Sequence, residues 1–297
     1  EEANLILNFG HSADMLAKEG EESVNSLLTK KLADFVRTLD PTRPITAGCN
    51  EPNPANHLFR SGALDIIGYN YHNVNIPEVP KNFPGKPFII TESNSALMTR
   101  GYYRMPSDQM FIWPERWDKP FYDSTFACSS YENCHVPWGN THEESLLLIK
   151  KNDFISGQYV WTGFDYIGEP TPYGWPARSS YFGIVDLAGF PKDVYYLYQS
   201  EWTDKQVLHL FPHWNWTEEQ DVDMWCYYNQ ADEVELFVNG KSQGIKSKDD
   251  NHLHVFWRVK YEPGSVKVVA RKAGTVVAEK EIRTAGTPSM IHLTGVT

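Results

Sequence analysis

Residues 86–94, "KPFIITESN", decide the fold class of this chain. The run from Phe88 to Ile90 is apolar without interruption, and two residues later it ends at a carboxylate, Glu92. A continuous apolar run, in contrast to an alternating one, predicts a strand that is buried on both faces, as in a parallel sheet covered by helices. The charge at its end indicates that the strand carries a functional group to the edge of the sheet.

Three further apolar runs and two helical patterns accompany this strand. The runs lie at residues 45–48 ("ITAG"), 64–72 ("LDIIGYNYH") and 154–166 ("FISGQYVWTGFDY"), and helical spacing marks residues 23–39 and 143–153. Strands that alternate with helices predict an α/β fold with a parallel sheet. Because the strands end in polar or aromatic residues, we predict a (β/α)₈ TIM barrel with its active site at these strand ends. Four strand–loop units account only for the C-terminal half of such a barrel.

From about residue 205 the pattern changes to short, alternating strands separated by turn signals such as Asn239-Gly240 and Ala273-Gly274. This pattern predicts an all-β sandwich of the immunoglobulin type. We therefore predict three regions, namely the C-terminal barrel half at 1–203, the immunoglobulin-like sandwich at 204–286, and a linker or the start of a further module at 287–297.

The composition excludes two classes of partner. The net charge of −11 leaves no basic surplus to neutralise nucleic-acid phosphates. No run of about 18 apolar residues is present, which argues against a membrane span. Aromatic residues make up 14% of the chain, and their faces suit stacking against sugar rings. The chain begins without Met and inside a helix-like pattern, so we expect a processed or truncated polypeptide.

The four cysteines leave three interpretations open. Cys128 and Cys134 lie close together in "ACSSYENCH", which allows a local disulfide, a metal site with His135, or free thiols as the default. The usual short Cys-x-x-Cys spacing is missing. No Ser-His-Asp set and no phosphate-binding loop stands in a convincing context. We therefore predict neither a metal nor a cofactor.

The ends of the predicted strands supply the candidate site. Retaining glycoside hydrolysis uses two carboxylates about 5–5.5 Å apart, one as nucleophile and one as acid/base. Hydrogen bonds from neighbouring groups keep such a nucleophile ionised, and Asn70 and Tyr71 could donate them to Glu92. Asp165 and Glu169 lie on the loop after the last predicted strand, where Asp165 could contact a ligand hydroxyl or form a hydrogen bond within the loop. The candidate residues are Asn70, Tyr71, His72, Glu92, Asn94, Trp161 and Asp165.

The motifs "FIITES", "DIIGYNY", "LDPTRPITAG", "GQYVWTGFDYIGEP" and "YFGIVDLAGFPKD" resemble the second half of glycoside hydrolase family 2. This family contains β-galactosidases, β-glucuronidases and β-mannosidases, and the resemblance covers about residues 23–203. It implies that Glu92 is the nucleophile, that Tyr71 bonds it, and that Trp161 forms the floor of the sugar site. Asn70, His72, Asn94 and Asp165 are then expected to bind substrate.

The chain departs from the family at the acid/base residue. In the family this residue is the Glu of an Asn-Glu pair at the end of the fourth strand, upstream of residue 23. Glu51 follows Asn50 but comes after the fifth strand, and Glu1 and Glu2 lack both the strand and the Asn. The resemblance therefore implies that the acid/base belongs to a missing N-terminal part of the same polypeptide.

The function predicted from the sequence is that of a hydrolase of carbohydrate metabolism, a retaining β-glycosidase with β-galactosidase as the favoured activity. Arg178 could meet a substrate carboxylate, but the Asn-x-Lys pattern of the glucuronidase branch is absent after the eighth strand, which favours a neutral sugar. The alternatives are a β-glucuronidase or β-mannosidase, and a non-catalytic carbohydrate-binding or scaffold fragment. We expect an oligosaccharide or glycoside substrate, a periplasmic or extracellular location, and little or no turnover by the chain alone.

Overall fold

The computed structural model describes residues 23–288 and residue 290, and their contacts form two compact units. The first unit contains Gln109–Val194 and the described residues up to Tyr102. The second contains Tyr103–Asp108 and the described residues from Tyr195 onward. Glu1, Glu2 and nearly all of the predicted tail at 287–297 lie outside the described residues. None of the described helices is long and apolar enough to cross a membrane.

The first unit is built on short helices and five strands. Its helices are α1 (Val24–Leu39), α2 (His57–Arg60), α3 (Val79–Asn82) and α4 (His142–Lys150), and α5 (Asp193–Trp202) begins at its end. A 3₁₀ turn spans Ile76–Glu78. The strands are β1 (Ile67–Asn70), β2 (Phe88–Asn94), β3 (Phe111–Ile112), β4 (Cys134–His135) and β5 (Ile155–Trp161).

Three strands form the parallel sheet that carries the candidate site. Their order is β1-β2-β5, with Asn70 opposite Glu92 and Asn94 opposite Trp161. Apolar side chains from all three strands share one core cluster. The apolar runs therefore correctly predicted three strands that pair in parallel, and the pairing brings their carboxyl ends to one edge. The predicted burial on both faces is wrong for β5, in which only Ile155 is buried.

The predicted strand at 45–48 is wrong, because this segment forms no ladder. Its backbone hydrogen bonds to the chain around β1 lie at two places, where the carbonyl of Ile45 accepts from the N–H of Asp65 and the carbonyl of Cys49 accepts from the N–H of Asn70. Between them it passes very close to β1, since a Cβ added at Gly68 would lie 2.6 Å from the carbonyl of Ala47. Backbone contact without repeated pairing leaves the segment irregular.

Helix α1 confirms the helix predicted at residues 23–39, but the apolar side of this helix is exposed. Ser23 caps the helix by accepting from the N–H of Ser26, and the chain leaves the helix at Asp40. The apolar side chains are nevertheless exposed, with Val24 at 80% and Leu39 at 71%. Within the described residues this face therefore covers no core, although its spacing is that of a core-facing helix.

The second unit consists of two antiparallel sheets. Its strands are β6 (Leu208–Phe211), β7 (Asp221–Tyr228), β8 (Glu233–Val238), β9 (Lys241–Lys246), β10 (Val255–Lys260), β11 (Ser265–Lys272) and β12 (Thr275–Arg283). The sheet orders are β10-β7-β6 and β12-β11-β8-β9, and inward side chains of both sheets share one core. The turns at Asn239-Gly240 and Ala273-Gly274 have positive φ at both residues, as two-residue hairpins require.

Candidate active site

Two hydrogen bonds join Glu92 and Tyr71. The N–H of Tyr71 donates to the carbonyl of Glu92 at 2.7 Å, and the Tyr71 hydroxyl donates to Glu92 Oε2 at 2.8 Å. Glu92 is half-buried, so its carboxylate is supported by the protein while part of it stays accessible. The two predicted residues therefore lie in direct contact, with the phenol donating to the carboxylate.

A third residue, Ser95, extends this arrangement and was missed by the sequence reasoning. Its Oγ donates to the Tyr71 hydroxyl oxygen at 2.9 Å, and its own backbone has a φ of 55°. The only signal in the sequence is its position three residues after Glu92. The result is a hydrogen-bond relay in which Ser95 orients Tyr71 and Tyr71 holds Glu92.

The electrostatics of the relay keep the phenol protonated. Burial raises the pKa of the Tyr71 hydroxyl, the bond from Ser95 acts in the opposite direction, and the negative charge of Glu92 raises it again. The net effect is a pKa above the usual value for tyrosine. Tyr71 therefore remains a hydrogen-bond donor to Glu92 at any pH at which the protein is expected to work.

In a complete catalytic domain that contains this chain, replacing Tyr71 by Phe is expected to lower glycoside turnover about 10–100-fold, because a hydrogen bond to a charged group contributes about 1.5–3 kcal/mol. Steady-state kinetics of the variant and the parent measure this loss. A variant with full activity would show that the phenol does not support Glu92.

Asn70 and His72, on either side of Tyr71, are engaged with the protein. Asn70 is buried, and its Oδ1 accepts from Thr91 Oγ1 at 2.7 Å. The Nε2 of His72 lies 2.5 Å from the carbonyl oxygen of Asn50. The structure brings both residues to the strand edge beside Tyr71, and their predicted contact with substrate stays a prediction.

Asn94 connects the end of β2 to the start of α4. Its exposed fraction is 0%, and its Nδ2 donates to the carbonyl of Thr141, the N-cap of α4. Its own backbone carbonyl accepts from the N–H of Asn140. Its predicted contact with substrate stays a prediction.

Asp165 is also used inside the protein. Its carboxylate lies 2.8 Å from Lys192 Nζ and accepts from the N–H of Gly183 at 2.8 Å. Lys192 in turn donates to the carbonyls of Met98 and Tyr181. Burial raises the pKa of Asp165 and lowers that of Lys192, and each charge partly offsets the effect on the other. Through Lys192 the pair connects the loop after β5 to the loop after β2, and the predicted contact of Asp165 with sugar hydroxyls stays a prediction.

Trp161 lies at the end of β5, opposite Asn94 of β2, and its ring contacts that of a second tyrosine, Tyr166. Its carbonyl lies across from the end of β2, where it accepts from Ser95 N at 3.4 Å. Its half-buried ring meets that of Tyr166 edge-on, with centroids 6.0 Å apart. The Tyr166 hydroxyl donates to Glu169 Oε2. Sequence reasoning named Trp161 but missed Tyr166, whose role depends on a contact within its loop.

The remaining candidates are bonded locally. Glu51 is buried, and its Oε1 accepts from the N–H of Asn53, as expected for a loop residue. Cys128 and Cys134 are buried free thiols in the structure, and burial raises the pKa of Cys128. His135 Nδ1 bonds the carbonyl of Val136. Within the described part of the chain, no group of three or more His, Cys, Asp or Glu side chains could hold a metal ion.

Solved structures with the same fold define the class of protein. A β-glycosidase from Bacteroides vulgatus matches 88% of this chain and 35% of its own chain, with 32% identity and a TM-score of 0.73. A glycosyl hydrolase family 2 member from Bacteroides cellulosilyticus matches 91% of this chain and 34% of its own, with 23% identity and a TM-score of 0.66, and shares the fold. The 85% identity over 99% of this chain to a curated protein, Beta-galactosidase BoGH2A, shows that the chain belongs to glycoside hydrolase family 2, as the strand-end motifs predicted.

This curated relative is from Bacteroides ovatus, and the 85% identity extends over 294 residues, or 99% of this chain and 34% of the relative. The chain thus spans about a third of the length of this curated relative. Residues 219–278, in the second unit, match a family model described as a domain of unknown function, DUF4982.

Proposed function

We propose that this chain supplies the nucleophile-bearing part of a retaining β-glycosidase that acts on β-galactosides. The observation that carries the proposal is the half-buried carboxylate of Glu92 at a strand end, held by the Tyr71 phenol at 2.8 Å. The 85% identity to a protein named Beta-galactosidase BoGH2A supports the choice of sugar.

The mechanism follows from the chemistry of a supported carboxylate. An oxygen of Glu92 attacks the anomeric carbon, and the bond to the aglycone oxygen breaks with its electron pair on oxygen, which takes a proton from the acid/base group. Water then attacks the same carbon and gives a proton back to that group, while Glu92 departs as a carboxylate. Two inversions at one carbon retain the configuration. Tyr71 and Ser95 keep the attacking oxygen in place, and Trp161 bounds the sugar.

The acid/base group and the rest of the barrel are proposed to lie on a preceding part of the same polypeptide. The relatives are about three times longer than this chain. The open apolar side of α1 is the kind of surface that another part of a barrel would cover. In this proposal residues 1–203 form the C-terminal half of a (β/α)₈ barrel, 204–286 an immunoglobulin-like module, and the enzyme works in the periplasm or outside the cell.

The experiment that tests the proposal is covalent trapping in a complete catalytic domain. We define the chimaera as Beta-galactosidase BoGH2A with its matching segment replaced by this chain. Treatment with an activated 2-deoxy-2-fluoro-β-galactoside should add one fluoro-sugar to the peptide that contains Glu92, as peptide mass spectrometry detects. Glu92→Gln should abolish the adduct, and Glu281→Gln, a change on β12 in the second unit, should leave it intact.

Each part of the proposal would be contradicted by a different experimental result. An adduct on another carboxylate would refute the role of Glu92. Labelling of Glu92 by a fluoro-glucuronide and not by the fluoro-galactoside would refute only the choice of sugar. Intact β-galactoside bound without any cleavage or adduct would favour a non-catalytic carbohydrate-binding role. Rapid hydrolysis by the 297-residue chain alone would show that the acid/base lies within it.

A further inference from the structure

A second carboxylate, Glu169, lies on the loop after β5. It is exposed, and the hydroxyl of Tyr166 donates to its Oε2. Among the residues that the structure describes, no lysine or arginine pairs with Glu169, and the nearby Arg178 lies over the ring of Trp175 at 4.4 Å. Glu169 is therefore an exposed carboxylate with a phenol partner and, among the described residues, no lysine or arginine paired with it.

The loop that presents Glu169 is held firmly. Tyr166 and Ser180 exchange two bonds, one from the Ser180 N–H to the Tyr166 carbonyl at 2.8 Å and one from the Tyr166 N–H to Ser180 Oγ at 3.0 Å. The N–H of Gly168 donates to the carbonyl of Arg178 at 2.7 Å. Glu169 itself has a φ of 42°. The position of this carboxylate is therefore set by the backbone, even though its side chain faces solvent.

A series of contacts through Tyr166 and Trp161 links Glu169 to the strand that carries the proposed nucleophile, Glu92. Tyr166, which bonds Glu169, packs edge-on against Trp161, and Trp161 is paired across β5 and β2 with Asn94, two residues from Glu92. The electrostatics agree with this proximity. Burial is the largest cause that raises the pKa of Tyr166, and the charges of Glu169 and Glu92 raise it further. The same two charges also raise the pKa of Tyr71.

We propose that Glu169 determines sugar specificity by admitting neutral glycosides and repelling uronic acid glycosides. This inference rests on the proposed function and assigns a residue to its choice of substrate. The carboxylate oxygens accept hydrogen bonds from sugar hydroxyls, and the oxygen shared with Tyr166 still has acceptor capacity. A uronate brings a second negative charge into the same site, and like charges about 5 Å apart at an effective dielectric of about 20 repel strongly enough to cost tenfold or more in binding. Tyr166 is the positioning residue.

The test compares two glycosides in the chimaera. Glu169→Gln keeps the size and the hydrogen-bonding reach of the side chain but removes its charge, whereas Glu169→Asp keeps the charge. The ratio of kcat/KM for p-nitrophenyl β-glucuronide to that for p-nitrophenyl β-galactoside should rise at least about tenfold in Glu169→Gln, and it should stay within about threefold in Glu169→Asp. Adding salt should raise the ratio in the parent chimaera and change it less in Glu169→Gln, because salt screens the repulsion.

A binding measurement separates this inference from the proposed function. Calorimetric titration of Glu92→Gln with unhydrolysed galactoside and glucuronide, with and without Glu169→Gln, reports specificity even if no turnover occurs. The expected result is tighter binding of glucuronide by the double variant. An unchanged ratio in both assays, or an equal loss of activity on both glycosides, would overturn the role of Glu169. Failure to label Glu92 would refute the nucleophile assignment and leave the binding comparison to decide on Glu169.

Discussion

Replacing Glu92 by Gln is expected to lower β-galactoside turnover by about 10⁴-fold or more, because the glutamine cannot form the glycosyl ester on which the two-step route depends. Binding should persist, since Gln has the size of Glu and Tyr71, Ser95 and Trp161 keep their places. Initial rates of the chimaera with p-nitrophenyl β-galactoside, together with the calorimetric affinity, measure both parts of this expectation.

Two further variants make the result specific. Glu78→Gln changes an exposed carboxylate on the 3₁₀ turn of the same unit and should keep parental turnover. Glu92→Gly opens space beside Tyr71, and added azide should then cleave the activated glycoside and give a glycosyl azide of inverted configuration. Retention of more than a tenth of the activity in Glu92→Gln would mean that another group performs the attack.

Replacing Lys192 by Met is expected to open the loops behind the site, because it leaves the carboxylate of Asp165 buried without its cation. Breaking a buried ion pair from one side costs about 3–5 kcal/mol. The N–H of Gly183 reports the change directly, since it donates to Asp165. Its hydrogen exchange in the chimaera should become about 100-fold faster or more, since each 1.4 kcal/mol is worth about a factor of ten.

The control for this prediction is Lys81→Met, which removes a lysine whose partner, Glu78, is exposed. Pairs of this kind contribute about 0–1 kcal/mol, so exchange at Gly183 should not change. Equal exchange in Lys192→Met and the parent would show that the Lys192–Asp165 pair does not fasten the loops.

The sequence predicted the parts of the site that depend on strand pairing. Runs rich in apolar residues marked β1, β2 and β5, and parallel pairing then brings Tyr71, Glu92 and Trp161 to one edge. The segment at 45–48 was predicted wrongly because a short apolar run looks the same whether its backbone forms a ladder or only meets its neighbour at two points.

Loop contacts explain what could not be predicted. A polar residue after a strand can face a cavity or turn back to the scaffold, and Asn94 and Asp165 turn back, to Thr141 and Lys192. The bond of Ser95 to Tyr71 and that of Tyr166 to Glu169 depend on local backbone turns with positive φ, and residue spacing does not reveal such turns.

The open apolar side of α1 has a consequence for handling the protein. Seven large apolar side chains of this one helix are exposed, which is far more than a surface helix normally presents to water. Proteins that expose such an apolar face self-associate as their concentration rises. The apparent mass from light scattering should therefore increase with concentration for the purified chain. It should stay constant for the chimaera, in which we propose that the preceding part of the barrel covers this face.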